Sequence, residues 1–245
     1  MKPPAVRDPT LFDCQGIQYI KFMTFVMQTL QSQSYFEIGT AAGKSLASVT
    51  CKSVAVDPNF RLNTNVVGGK SVCMFFQMPS DRFFEVYSLS KLLDGPVDVA
   101  FLDGLHLFEY LLRDFMNTEK YSRKNTIIFL HDCLPFNMDM TRRHFHVPGV
   151  KGGAWTGDVW KIVPILKKYR PDLSIHAMDC SPTGLVMITG LSPGSSVLDD
   201  NFFKIIDEFK ESPGDEAKLK EFRETTQLVN TKRITEIADL AKYCW

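Results

Sequence analysis

Apolar and polar positions along this chain fall into two repeating patterns. From Gly16 to Gln31 the apolar residues recur at the spacing of one helix face, and Ser34-Tyr35-Phe36-Glu37-Ile38-Gly39 reads as a short strand running into a glycine turn. Lys44 to Thr50 is a short helix, and Ser53-Val54-Ala55-Val56-Asp57 is a second strand ending on an acid. Pro58 biases that acid towards extended or turn geometry. A third strand fits Lys70 to Phe76, a helix fits Asp81 to Leu92, and Val97 to Asp103 is a strongly apolar fourth strand. Leu107 to Tyr121 is helical, with Leu111, Leu112, Phe115 and Met116 turned to the sheet. Thr126 to Leu130 is almost continuously apolar, as expected at the covered centre of a parallel sheet. A long loop over 133–156 leads to a helix ending near Tyr169, and Asp172 to Met178 and Gly184 to Ile188 supply two last strands.

Strands alternating with helices argue for a parallel α/β sheet. The chain divides into an N-terminal helical segment (1–33), a core (34–190) and a C-terminal helical extension (191–245) too small to be an independent domain. Within the extension, 198–244 is charged with helical spacing, broken near Ser212-Pro213-Gly214 and Asn230. It offers added helices, a dimer contact or partial cover for a site.

Composition narrows the functions. Lys plus Arg and Asp plus Glu both number 28, so the formal net charge is zero, which removes the strongest argument for a nucleic-acid or acidic-membrane partner. No segment is long and apolar enough for a membrane span, and the start of the chain does not resemble a signal peptide. The six cysteines, Cys14, Cys51, Cys73, Cys133, Cys180 and Cys244, form no C-x-x-C pair and read as reduced thiols. A cytoplasmic location is the expectation.

In open α/β sheets the ligand site lies outside the carboxyl ends of the strands, and unusual residues gather there. Gly39 and Gly43 allow tight turning or a close ligand approach, while Ser45 can cap the next helix or bond a ligand carboxylate. This is neither the Gly-x-Gly-x-x-Gly fingerprint nor a phosphate loop, because three residues separate Gly39 from Gly43 where that loop has four. Asp57 either accepts from ribose hydroxyls or serves its own turn. Ser80 and Asp81 either meet a nucleobase or cap a helix, and the residues alone leave both pairs of readings open.

Two further groups close buried strands: Asp103-Gly104-Leu105-His106 and His131-Asp132-Cys133. Asp103 and Asp132 are hard oxygen ligands suited to magnesium, calcium or manganese. A neutral His106 can take a proton as general base. His131 is a metal ligand, a second proton-transfer group or a side chain pointing into the sheet, since adjacent strand residues face opposite sides. Cys133 is a poor ligand for magnesium. Asp103, His106 and Asp132 taken singly also suit helix caps and satisfied polar positions. Glu109 and Asp114 are expected on the polar face of their helix, and Asp98 is expected to be structural.

With Glu37, Gly39, Gly43 and Ser45 in the pattern Glu-x-Gly-x-x-x-Gly-x-Ser and Asp57 after the second strand, the chain resembles the class I S-adenosylmethionine-dependent methyltransferases. It is most similar in pattern to the metal-dependent small-molecule O-methyltransferases of the catechol and antibiotic-sugar types. The resemblance covers roughly 34–190 and implies a Rossmann-like, mostly parallel sheet with an N-terminal helix and extra C-terminal helices. It implies cofactor contacts at Glu37, Gly39, Thr40, Gly43, Ser45, Asp57, Ser80 and Asp103, and catalytic roles for Asp103, His106 and Asp132. It also implies a divalent cation, such as Mg2+, held by Asp103 and Asp132, with His131, which departs from the family's pattern, as a further candidate ligand. The antibiotic-sugar enzymes have an acid followed three residues later by a histidine, as Asp103 and His106 are, but two adjacent acids where this chain has His131-Asp132. The catechol group has Asp-Asn there, nearer to Asp132-Cys133.

The stretch 134–160 mixes apolar residues with Arg142, Arg143, His144 and His146, which are expected mostly to face solvent. Gly152 and Gly153 permit a sharp approach, Trp155 can line an acceptor pocket, and Asp158 is expected to cap the incoming helix, with Trp160, Val163 and Leu166 packing it. Methyl transfer to a hydroxyl of a small sugar or phenol is the reading these features favour, in a possible homodimer or higher homo-oligomer without nucleic acid or membrane. Its rivals are an NAD-dependent oxidoreductase, which lacks its glycine motif, and a catalytically silent cofactor-binding or assembly protein.

Overall fold

The computed structural model describes residues 7–145, 154–210 and 215–244. Its strands are β1 (Ser34–Ile38), β2 (Lys52–Val56), β3 (Cys73–Phe76), β4 (Val99–Leu102), β5 (Ile127–His131), β6 (Ser174–Met178), β7 (Leu185–Thr189) and β8 (Leu228–Val229). They form one sheet in the order β3-β2-β1-β4-β5-β7-β6-β8. β7 runs antiparallel to β5 and β6, and the other pairings are parallel. β1, β4, β5 and β7 are buried along their whole length, as strands covered on both faces must be. The Rossmann-like, mostly parallel sheet is therefore present, with β7 reversed between two strands that run the other way.

Alternate side chains feed two cores. Phe36, Ile38, Ala100, Leu102, Ile128 and Leu130 join one, while Tyr35, Val99, Phe101, Ile127 and Phe129 join the other. The first face is covered by α3 (Ser80–Val86), α4 (Leu89–Leu93), α5 (Phe108–Glu119), α6 (Ile162–Tyr169), α7 (Val197–Phe209) and α8 (Asp215–Glu224). The second is covered by α1 (Tyr19–Thr29), α2 (Lys44–Ala47) and α9 (Ile237–Cys244).

Three departures from the sequence reading have physical causes. The helix expected over Asp81 to Leu92 is two helices, because Tyr87 and Ser88 take extended backbone between α3 and α4. The C-terminal extension is not wholly helical: Leu228 and Val229 pair with Ala177 and Met178 at the sheet edge. Asp114 does not face solvent on α5. It is buried, and one of its oxygens lies 3.4 Å from where a Cβ on Gly104 would stand. Asp98 is structural as expected, accepting from the backbone N–H groups of Gln33 and Ser34. All six cysteines are free thiols. Among the described residues no helix is long and apolar enough to cross a membrane.

Candidate active site

The glycine turn after β1 is shaped by the end of β4. Gly39 has φ +88°, and a side chain there would put its Cβ 1.8 Å from the Asp103 carbonyl oxygen. At Gly43, φ +81°, a Cβ would meet Val66 Cγ1 at 2.4 Å. Left-handed backbone and close approach together require glycine at both positions. Asp57, at the end of β2, accepts from the Ala41 N–H through Oδ2 and from the Asn59 N–H through Oδ1, both at 2.7 Å. The carboxylate thus fastens the glycine turn as well as its own.

Glu37 is fully buried on β1. Burial pushes its carboxyl above the usual range, opposed by the hydroxyls of Tyr35, Thr40 and Ser45. Of these only Tyr35 reaches hydrogen-bond geometry, donating to Oε2 at 2.7 Å. Glu37 Oε1 and Thr40 Oγ1 remain buried without a partner. An unpaired buried polar atom is costly, so this turn fits a ligand that brings hydrogen-bonding groups of its own, as an amino-acid-bearing nucleoside does. Ser45 is buried at the start of α2. Ser80 opens α3 four residues after the end of β3, with its hydroxyl near the buried Asp114 carboxyl.

At the ends of β4 and β5 two acids and two histidines converge. His106 Nε2 lies 3.3 Å from Asp103 Oδ1 and 3.5 Å from Asp132 Oδ2. His131 Nδ1 lies 3.2 Å from Asp103 Oδ1 and 3.4 Å from Asp132 Oδ1. Consecutive strand residues would face opposite sides, but the chain leaves β5 at Asp132 with φ +59°, so both His131 and Asp132 reach the cluster. The Thr183 hydroxyl donates to Asp132 Oδ1 and holds that turned side chain. Burial opposes charge on both imidazoles, yet the Asp103 and Asp132 carboxylates hold their pKa values above the ordinary one. Burial likewise opposes charge on Asp103, and the two histidines overcome it to pull the carboxyl down.

Asp103, His131 and Asp132 each offer a ligand atom within 4.8 Å of the others. Two carboxylates with one imidazole form a donor set that suits a divalent cation, more oxygen-rich than a typical zinc site. Cys133 takes no part. Its thiol is buried in the core and donates to the His131 carbonyl at 3.3 Å.

Several contributors carried no sequence signal. The Tyr19 ring, at the start of α1, lies 4.0 Å from the His131 ring, and burial with the Asp103 and Asp132 charges pushes its phenol pKa up. Thr183 comes from the loop between β6 and β7. Trp155 was expected near an acceptor, and its indole stacks on His106 at 4.9 Å while its carbonyl stands 3.0 Å from His106 Nδ1. Two loop expectations change. Arg143 does not face solvent but pairs with Glu109 and Asp158. Asp158 caps not the incoming helix but the N-terminus of α5, accepting from the Phe108 N–H at 3.1 Å. His146, Gly152 and Gly153 lie outside the described residues. Trp160, Val163 and Leu166 pack in the core as expected.

A family model described as a methyltransferase domain matches residues 36–133, a span holding the glycine turn, Asp57, Asp103, His106, His131 and Asp132. A comparison with the curated proteins finds no match. Among solved structures, a putative O-methyltransferase from Klebsiella pneumoniae superposes with a TM-score of 0.52 at 14% identity, over 78% of this chain and 93% of that one. Cofactor-bound Rv0187 from MTB gives 0.52 at 14% identity, over 70% and 79%. The fold is that of a class I methyltransferase. In this methyltransferase fold the glycine turn and the acid–histidine cluster share one edge of the sheet, joined where Gly39 abuts Asp103.

Proposed function

We propose that this chain is an S-adenosylmethionine-dependent O-methyltransferase acting on a hydroxyl of a small sugar, phenol or similar metabolite. The convergence of Asp103, His106, His131 and Asp132 beside a glycine turn with unpaired buried polar atoms carries the reading. Residues 34–190 form its catalytic core, with 1–33 and 191–245 as flanking segments of the same unit.

Each residue then has a task. Glu37, Gly39, Thr40, Gly43 and Ser45 cradle the amino-acid end of the cofactor, Asp57 accepts from its ribose, and Ser80 lies towards the base. Asp103, Asp132 and His131 hold a divalent cation, with Mg2+ the expected ion for two hard carboxylates. Bound cofactor supplies an electrophilic methyl group, and a bound cation supplies charge that orients and acidifies a hydroxyl. A carbonyl can only accept, so Trp155 holds a hydrogen on His106 Nδ1; Nε2 faces the Asp103 and Asp132 carboxylates, and where a bound cation engaged those acids it would be the nitrogen that takes the acceptor's proton. The Trp155 indole shields that imidazole and gives a flat wall for the acceptor.

Calorimetry with adenosylhomocysteine and single-turnover transfer from labelled S-adenosylmethionine to catechol and sugar acceptors test this. Saturable nucleoside binding is expected, and His106→Gln should cut transfer by about 10²–10⁴-fold with nucleoside affinity unchanged. Absence of nucleoside binding would overturn the reading, and parallel losses of binding and transfer would remove His106 as base.

A further inference from the structure

At the outer edge of the sheet, two strands beyond β5, the chain from Thr225 to Arg233 with its strand β8 joins α6, β6 and α9 in lining an open cavity of about 620 Å³. That is the size of a small-molecule site. Val163 and Ile175 give it an apolar floor, and Lys167 and Arg233 give it two cations. Among the described residues no carboxylate lines it and neither cation has an ion-pair partner, Lys167 Nζ standing 5.9 Å from the centre of the Phe222 ring. Lys167 and Arg233 are both exposed, and the partial burial of Lys167 lowers its pKa with no acid acting against it. Thr226, also in the lining, is 6% exposed, and its Oγ1 has no hydrogen-bond partner. The outer edge of Ser174 to His176 is open too, since β8 pairs only with Ala177 and Met178.

Uncompensated positive charge over an apolar floor, beside an unsatisfied buried hydroxyl, is complementary to a compact anion carrying an organic body. We infer that this cavity binds a small phosphorylated metabolite, with its phosphate held by Lys167 and Arg233 and its organic part against Val163 and Ile175. The site is separate from the Asp103–His106–Asp132 cluster and does not depend on the methyl-transfer reading. Thr226 adds a hydrogen bond that Gln227, in the same lining, can extend.

Phenyl phosphate is a suitable probe, titrated calorimetrically against the full chain with and without excess adenosylhomocysteine. Saturable binding with Kd on the order of 1 mM or tighter is expected, weakening as salt rises, with phenol alone not binding. Lys167→Gln and Arg233→Gln should each weaken it at least about fivefold, and Lys167→Arg should retain it. Adenosylhomocysteine should leave the affinity unchanged. Absence of saturation in the wild type would overturn the inference, as would undiminished affinity in a folded Lys167→Gln/Arg233→Gln double variant. Phenyl phosphate binding in a protein that fails to bind adenosylhomocysteine would uphold this site while sinking the methyl-transfer reading.

Discussion

Asp114 sits in α5 with its carboxyl wholly enclosed, close to Gly104 and to the Ser80 hydroxyl. Burial raises its pKa from 3.8 to about 7, against the Ser80 hydrogen bond and with some help from Asp81. The folded state therefore holds a proton between those values that the unfolded chain has released. By linkage, its contribution to stability is greatest at low pH and falls as pH rises from about 4 to about 7. The displacement corresponds to at most about 4 kcal/mol. Asp114→Asn keeps the shape of the side chain and removes the ionisation. Denaturant unfolding at pH 5 and pH 8 should show a smaller loss on going to pH 8 in Asp114→Asn than in the wild type. Equal losses would mean that Asp114 stays charged in the fold. Around the candidate site the same balance is struck differently, because the acids there have imidazole partners instead of a lone hydroxyl.

The α5 N-terminus is held by a residue fifty positions away. Asp158 accepts from the Phe108 N–H through one oxygen, and Arg143 reaches the other oxygen and Glu109. Gly157 follows His106 so closely that a Cβ on it would lie 1.7 Å from the His106 carbonyl oxygen. The 154–158 segment, the α5 terminus and His106 are therefore held together by direct contacts. Asp158→Ala removes a cap worth about 1 kcal/mol and leaves Arg143 and Lys161 each short of a buried carboxylate, so it should cost about 2–4 kcal/mol by denaturant unfolding. Asp158→Asn keeps the cap oxygen and should cost less; equal costs would assign the whole effect to the ion pairs. None of this coupling was legible in sequence, where Asp158 stands next to α6 and suggests a cap for that helix. β4 and β5 were legible because their apolar runs are almost unbroken, and β1 because it runs into a glycine turn despite Glu37. β8 was not, since two residues carry no period and their pairing is decided by the edge of β6. The cluster was legible as Asp103, His106 and Asp132 because each ends or follows a strand. The place of His131 was left open because it depends on the turned backbone at Asp132, which a sequence does not display.

Across the molecule, the C-terminal extension is tied to the same segment that shields His106. Lys161, almost fully buried, donates to the Phe209 carbonyl at 2.9 Å and pairs with Asp215 at 2.7 Å, linking α6 to the end of α7 and the start of α8. β8 completes the sheet beyond β6, and α9 packs on the face that holds α1 and, through Tyr19, the His131 ring. β3 and β8 are the two edge strands of the sheet. The central claim is that the glycine turn binds a nucleoside cofactor and that the adjacent acids and His131 bind a cation. Crystals grown with adenosylhomocysteine and manganese, with anomalous data at the manganese edge, test both parts together. The account predicts the nucleoside against Gly39 and Asp57 and an anomalous peak among Asp103, His131 and Asp132. A nucleoside bound elsewhere would contradict the account at its root, and a filled nucleoside site with no anomalous peak would contradict the cation.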